Sequence, residues 1–200
     1  MTKIKICGLM SAQDAESVNA AGADLAGVIL APGRRRTVTA EALRSIRGAL
    51  DRRIPLTGVF VNAQIAEISA LAEKGLIQLV QLHGQEDAAY LLNLRKVCAL
   101  PVIKAYSIAS AADLRAAEQS DADIVLLDNG AGGTGLGFDR SLLEGFSRPY
   151  LLAGGLSPEN IGGVIAAHHP YGVDVSSGVE TDGKKDPEKI AAFVSAVRNS

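Results

Sequence analysis

Short apolar runs rich in Ile, Val and Leu recur along the chain at intervals of about 20–27 residues, with Ala/Leu-rich amphipathic stretches between them. The runs predict strands at Lys3–Cys7, Leu25–Leu30, Leu56–Val61, Ile77–Leu82, Pro101–Ala105, Ile124–Asp128, Tyr150–Ala153 and Gly172–Val175. The intervening stretches predict helices over 11–20, 39–50, 63–73, 85–96, 110–118, 139–145, 158–166 and 186–198. Helix-start signals support several of them: Ser11 before Asp14, Asn62 before Ile65 and Ser110 before Asp113. Such a strand-then-helix rhythm suits an open doubly wound sheet or a closed barrel. An open sheet normally carries its phosphate loop after the first strand. Here small, glycine-bearing turns follow the last two strands, where barrels carry it. The pattern therefore predicts an α/β protein, one compact (β/α)8 TIM barrel spanning residues 1–200.

Those two turns are the first candidate site. Leu151-Leu152-Ala153 runs into Gly154-Gly155-Leu156-Ser157-Pro158, and Val173-Asp174-Val175 runs into Ser176-Ser177-Gly178-Val179. Side chains this small let a ligand approach the main chain, so that several N–H groups can meet one anion. Ser157-Pro158-Glu159 also reads as a helix start, with Ser as N-cap and Pro at the first helical position. The positive end of that helix would add to the attraction. A glycine after one strand is usually only a turn; two in tandem point to a paired phosphate cradle.

Alternation along each strand sorts the remaining polar residues. If Ile4 and Ile6 face the helices, Lys5 and Cys7 point into the barrel. By the same parity Gln81 and His83, Lys104, Asp128 and Asp174 point inward, giving a polar upper interior. Cys7 and Asp128 each end a strand at the mouth and form a candidate base–acid pair. A thiol near its ordinary value of about 8.5 is only a few per cent thiolate at neutral pH, so the base needs that value lowered. Lys5 and Asp174 should meet as an ion pair where the first and last strands close the barrel, leaving positive charge beneath Cys7. Of Arg34-Arg35-Arg36, one guanidinium turned inward can grip a carboxylate in two-pronged fashion, and the other two suit a solvated surface. His83 serves either to orient a ligand or as a satisfied structural histidine. His168-His169-Pro170 has no metal spacing. Gly130–Gly137 follows a late strand and reads as a closing loop rather than a dinucleotide fingerprint.

Composition narrows the classes. A chain of 200 residues suits one sizeable core. Its net charge of −2 supplies no basic field for nucleic acid or anionic membrane. Cys7 and Cys98 make no disulfide framework, which suits a reducing cytoplasm. The start Met1-Thr2-Lys3-Ile4-Lys5 has no apolar signal core, and no apolar run approaches membrane-spanning length. A cytoplasmic protein, monomer or homodimer, is expected.

Lys5-Ile6-Cys7-Gly8-Leu9, Gln81-Leu82-His83-Gly84, Leu127-Asp128 followed by Gly132-Gly133-Thr134-Gly135, Leu152-Ala153-Gly154-Gly155-Leu156 and Val173-Asp174-Val175-Ser176-Ser177-Gly178-Val179-Glu180 together resemble the phosphoribosylanthranilate isomerases. The likeness runs in order along the whole chain. It implies a cofactor-free, single-domain barrel enzyme of tryptophan biosynthesis acting on a small phosphorylated substrate. The implied reaction is the Amadori rearrangement of N-(5-phosphoribosyl)anthranilate to 1-(2-carboxyphenylamino)-1-deoxyribulose 5-phosphate. Asp128 would be the general acid and Cys7 the general base. Gly154, Gly155, Ser177 and Gly178 would hold the phosphate, with Asp174 and His83 also on the substrate. Arg36 aligns with the arginine that meets the anthranilate carboxylate, and Arg35 is its alternative. Two departures stand out: Pro32-Gly33-Arg34-Arg35-Arg36 replaces a Pro-Lys-Ser-Pro-Arg type of loop, and Phe138-Asp139-Arg140 replaces Phe-Asp-Trp.

Two other readings compete. Another phosphosugar-barrel enzyme would carry an aspartate at position 7, or rely on lysine and glutamate at its strand ends, so Cys7 argues against both. A non-catalytic barrel binding a phosphorylated metabolite would need neither Cys7 nor Asp128.

Overall fold

The computed structural model describes residues 1–128, 143 and 145–200. Eight parallel strands pair in chain order and close on themselves: β1 (Lys3–Cys7), β2 (Leu25–Ile29), β3 (Leu56–Phe60), β4 (Leu79–Leu82), β5 (Val102–Ser107), β6 (Ile124–Asp128), β7 (Tyr150–Leu152) and β8 (Gly172–Val175). The seam is β1 against β8, with Lys5 opposite Asp174 and Ile6 opposite Val175. The helices described are α1 (Ala12–Ala21), α2 (Ala40–Ala49), α3 (Ile65–Glu73), α4 (Ala88–Arg95), α5 (Ala111–Glu118), α6 (Ile161–His168) and α7 (Pro187–Arg198). After β8 come a 3-10 turn, Ser177–Val179, and a short hairpin of β9 (Glu180–Thr181) and β10 (Lys184–Lys185). The expected helix over 139–145 lies outside the described residues except at 143 and 145, as does the glycine-rich 130–137 loop.

Strand alternation divides the apolar residues into two bodies. Ile4, Ile6, Val80, Leu82, Leu127 and Val173 pack with the helices. Leu79, Ile103, Ala105, Leu126, Leu151 and Ala153 fill the barrel. Lys104 departs from the inward position expected of it. Its β5 neighbours Ile103 and Ala105 take the interior, and Lys104 registers with Leu82 and Val125 on the helix-facing side. Its ammonium instead reaches the loop after β4, donating to the Gly84 carbonyl at 2.8 Å and Glu86 Oε2 at 2.9 Å.

Helix starts follow local chemistry in some places and tertiary demand in others. Ser11 and Ser110 make the expected capping boxes with Asp14 and Asp113. Asn62 does not start α3, which begins after Gln64 without a side-chain cap. Asn62 sits in the left-handed region at φ 50° and accepts the Gln85 N–H at 2.7 Å, while its own N–H donates to Glu86 Oε1 at 2.7 Å. α6 starts about one turn later than Ser157-Pro158 suggested, with Asn160 as N-cap. The Asn160 side chain accepts from the Ser157 N–H at 3.0 Å and donates to the Gly155 carbonyl at 2.7 Å. Asn160 thus competes for loop backbone groups that a longer helix would have used.

Candidate active site

A cavity of about 1090 Å³ opens at the carboxyl ends of the strands. Cys7, Arg36, His83, Asp128, Gly154, Gly155, Asp174, Ser177 and Gly178 all line it, so every candidate from the sequence meets at one mouth.

Cys7 ends β1 opposite Gly27 of β2 and is 6% exposed. A Cβ on Gly27 would stand 2.9 Å from Cys7 Sγ and 3.0 Å from Lys5 Nζ, so the glycine is what makes room for both groups. The ion pair expected at the seam is present, with Lys5 Nζ 2.9 Å from Asp174 Oδ1. Burial pulls the lysine down, but Asp174 and Cys7 outweigh it and hold its charge more firmly than usual. The thiol does not show the lowered value that the base role calls for. Burial pushes Cys7 up, Lys5 and Lys185 pull against that, and Asp174 adds to the rise. Low-dielectric surroundings penalise the thiolate more than the nearby cations favour it.

Asp128 ends β6 across the mouth, with Oδ2 3.7 Å from His83 Nε2. Burial pushes His83 down, against the pull of Asp128 and Asp174, so the imidazole is neutral at pH 7. His83 Nδ1 lies 3.0 Å from Gln81 Nε2. An amide nitrogen only donates, so Nδ1 accepts and the ring proton is assigned to Nε2, facing Asp128.

The basic loop is more tightly tied than a solvated run. Arg36 donates through Nε to Glu180 Oε1 at 2.7 Å and through Nη2 to Oε2 at 3.0 Å. Arg35, the alternative to Arg36, is about half exposed, as suits the solvated part of the run, and bonds Glu180 Oε2 at 2.6 Å and the Gly183 carbonyl at 2.8 Å. Lys185 adds a third cation, 2.8 Å from Glu180 Oε1. Burial would raise Glu180, but these hydrogen bonds outweigh it and hold the carboxyl at about 2.

Beside this cluster the two glycine turns touch. Gly154 and Gly155 have φ 88° and 64°, the left-handed region in which a side chain is strained. A Cβ on Gly178 would collide with the carbonyl of Leu156, so the β8 turn seats directly on the β7 turn. The start of α6 stands one turn further along than the cradle reading assumed.

Sequence reasoning missed Glu180, Lys185, Asn160 and Glu86. Glu180 closes the Asp-Val-Ser-Ser-Gly-Val-Glu run. Nothing local marks it as the partner of an arginine 144 positions away. Among the described residues no group of three or more His, Cys, Asp or Glu is placed to hold a metal ion. Among them, too, no helix is long and apolar enough to cross a membrane.

Residues 4–196 match the family model for N-(5'-phosphoribosyl)anthranilate (PRA) isomerase. The chain belongs to the phosphoribosylanthranilate isomerase family. It is 44% identical over 196 residues to the N-(5'-phosphoribosyl)anthranilate isomerase of Lactiplantibacillus plantarum, covering 97% of this chain and 91% of that protein. It also superposes on the phosphoribosyl anthranilate isomerase of Thermotoga maritima with a TM-score of 0.90 and 34% identity, covering 100% of both chains. A further structure of such an isomerase, in complex with reduced 1-(o-carboxyphenylamino)-1-deoxyribulose 5-phosphate, aligns with a TM-score of 0.88 and 33% identity over 100% of both chains. Membership makes the chain an isomerase of tryptophan biosynthesis, and the cavity at its strand ends is the candidate active site of that isomerase.

Proposed function

We propose that this enzyme converts N-(5-phosphoribosyl)anthranilate to 1-(2-carboxyphenylamino)-1-deoxyribulose 5-phosphate, with Asp128 as general acid and Cys7 as general base. The observation that carries the reading is the meeting of Cys7 and Asp128 at one cavity that the paired glycine turn also lines. Gly154, Gly155, Ser177 and Gly178 hold the phosphate through backbone approach. Arg36 receives the anthranilate carboxylate, and Asp174 and His83 face the sugar.

Asp128 gives its proton to the furanose ring oxygen. The C1–O bond breaks as the nitrogen lone pair forms a C1–N double bond, opening the sugar to a protonated Schiff base. Cys7 then takes the C2 proton, and the released electron pair forms a C1–C2 double bond and neutralises the nitrogen. The enolamine becomes the ketone when C1 gains a proton and the 2-hydroxyl loses one. The sum is an isomerisation with no net proton uptake. Fixed donors and acceptors at the two reacting carbons lower each proton-transfer barrier.

Loss of the fluorescence of phosphoribosylanthranilate follows turnover directly. Cys7→Ala and Asp128→Asn should each lower kcat by about 10²-fold or more. Unchanged turnover in either variant removes that residue from the mechanism.

A further inference from the structure

Lys5 is fully buried, yet the isomerisation as written gives it no step. A lysine without water needs its charge compensated or used. Its ammonium donates to Asp174 Oδ1 at 2.9 Å, and its charge acts on the Cys7 thiol as well. Lys5 Nζ and Cys7 Sγ converge in the space that a side chain at Gly27 would fill. The charged groups facing Cys7 are Lys5 on its own strand, Asp174 on β8 and Lys185 on β10. Arg36 lies over the adjoining Gly8, but its guanidinium is held by Glu180. Lys185 is likewise engaged, bonding Glu180 and the Ser176 carbonyl. Lys5 and Lys185 both act on the thiol, and Lys5 is the one of the two whose carboxylate partner, Asp174, lines the mouth. That carboxylate, Asp174, also faces Asp128 and His83.

We propose that Lys5 is the cation that lets Cys7 act as a base, and that Asp174 keeps that cation occupied until a ligand engages its carboxylate. The proposal deepens the isomerase reading and rests on it for the use made of the thiolate. In the empty site the ammonium is neutralised by Asp174 and the thiol keeps its proton. A polyol phosphate whose hydroxyl donates to Asp174 draws that carboxylate's charge toward the ligand. Lys5, still an ammonium, then becomes the partner of Cys7, and the thiol proton leaves to solvent at the mouth. The site gains one negative charge, the thiolate, which the Lys5 ammonium balances, and water carries the released proton away. The base is thereby armed only when the sugar is in place. Lys5 is a positioning residue, since it acts through Cys7.

The test is a pH titration of Cys7 by NMR, in protein labelled with 13Cβ-cysteine and carrying Cys98→Ser so that one thiol reports. Lys5→Met should raise the Cys7 midpoint by about one pH unit or more, the effect of removing a nearby opposite charge. Asp174→Asn should move it down, because the thiolate becomes the anion nearest Lys5. Adding reduced 1-(2-carboxyphenylamino)-1-deoxyribulose 5-phosphate to otherwise unaltered protein should also lower it. Removing either charge shifts Cys7 in these directions by plain electrostatics, so the ligand arm tests the switch itself. A midpoint unmoved or raised in Asp174→Asn, or unmoved by the ligand, overturns the proposal, and these two measurements decide if Lys5→Met does not fold. The titration involves no turnover, so its failure is separate from failure of the isomerase reading, which Cys7→Ala activity decides.

Discussion

Glu180 holds Arg36 in a two-pronged fork, Nε to Oε1 at 2.7 Å and Nη2 to Oε2 at 3.0 Å, although 144 positions separate them. The fork fixes the guanidinium plane and leaves Nη1 for a ligand at the mouth. Arg35 and Lys185 share the same carboxylate, so three cations meet one anion. Surplus positive charge of that kind suits a second carboxylate, such as that of an anthranilate ring.

Glu180→Gln keeps the shape of this anchor and removes its charge. The three cations then repel one another and Arg36 loses its fixed plane. KM for phosphoribosylanthranilate should rise about 10-fold, near 1.4 kcal/mol of binding. The kcat should stay within about 3-fold, since the anchor grips ground state and transition state alike. Glu180→Asp should recover part of the affinity. A kcat that collapses while KM holds would place Glu180 in the chemistry instead.

Glycines provide a paired comparison. Gly178 seats against the Leu156 carbonyl, whereas Gly163, within α6, has no atom within 4 Å of the Cβ it lacks. Gly178→Ala should force the two turns apart, costing about 1–3 kcal/mol and raising KM for phosphorylated ligands. Gly163→Ala should stabilise by about 0.5–1 kcal/mol, because alanine loses less backbone freedom in a helix. Urea unfolding of the two variants checks both signs.

What was legible in the sequence was what neighbours along the chain decide. Strand parity placed Lys5 and Asp174 on the same side of the barrel wall, and the closing seam brought them to 2.9 Å. Ser11 and Ser110 cap their helices because a capping box needs only four consecutive residues. Lys104 defeated the same parity argument, because a long side chain on the helix-facing side can climb to a loop and find Glu86 there. Asn62 looked like a cap until the loop after β4 claimed both its side chain and its N–H. The resting state of Cys7 was also hidden. It depends on how far burial outweighs two cations, a balance set by the closed barrel rather than by the motif.

Acid should unfold the enzyme through a few named carboxylates. Glu180 is held at about 2 against an ordinary 4.5. Glu86 and Asp24 are also lowered: burial opposes the shift, and hydrogen bonds from Lys104 and Arg198 respectively lead the groups that outweigh it. A carboxyl depressed in the folded state is protonated first in the unfolded chain, so falling pH favours unfolding. The stabilisation should be complete above about pH 5 and be lost as pH falls from there toward 2. Asp174, pushed up by burial, contributes with the opposite sign and offsets part of the loss. Urea midpoints at pH 7, 4 and 3 should descend in that order, with a shallower descent in Glu180→Gln. A midpoint flat from pH 5 to 3 would contradict the assignment.

The Lys104–Glu86 pair should matter to both stability and the site. Both side chains are nearly inaccessible, at 9% and 1%. Glu86 also accepts the N–H groups of Asn62 and Gly84, so one carboxylate ties the loops after β3 and β4 to a lysine on β5. His83 stands immediately before Gly84 in that tied loop. Lys104→Met leaves Glu86 a buried charge without its cation, at a cost of about 3–5 kcal/mol. Adding Glu86→Gln removes the orphaned charge and keeps an acceptor oxygen for one of the two N–H groups, which Glu86 meets through different oxygens, so the double variant should regain part of that loss. Because the loop also sets His83 against Asp128, the double variant should unfold closer to the parent than Lys104→Met does, yet still show reduced kcat. Denaturant unfolding and turnover, measured on the same three proteins, separate the two effects. Equal kcat in parent and double variant would confine the pair to stability.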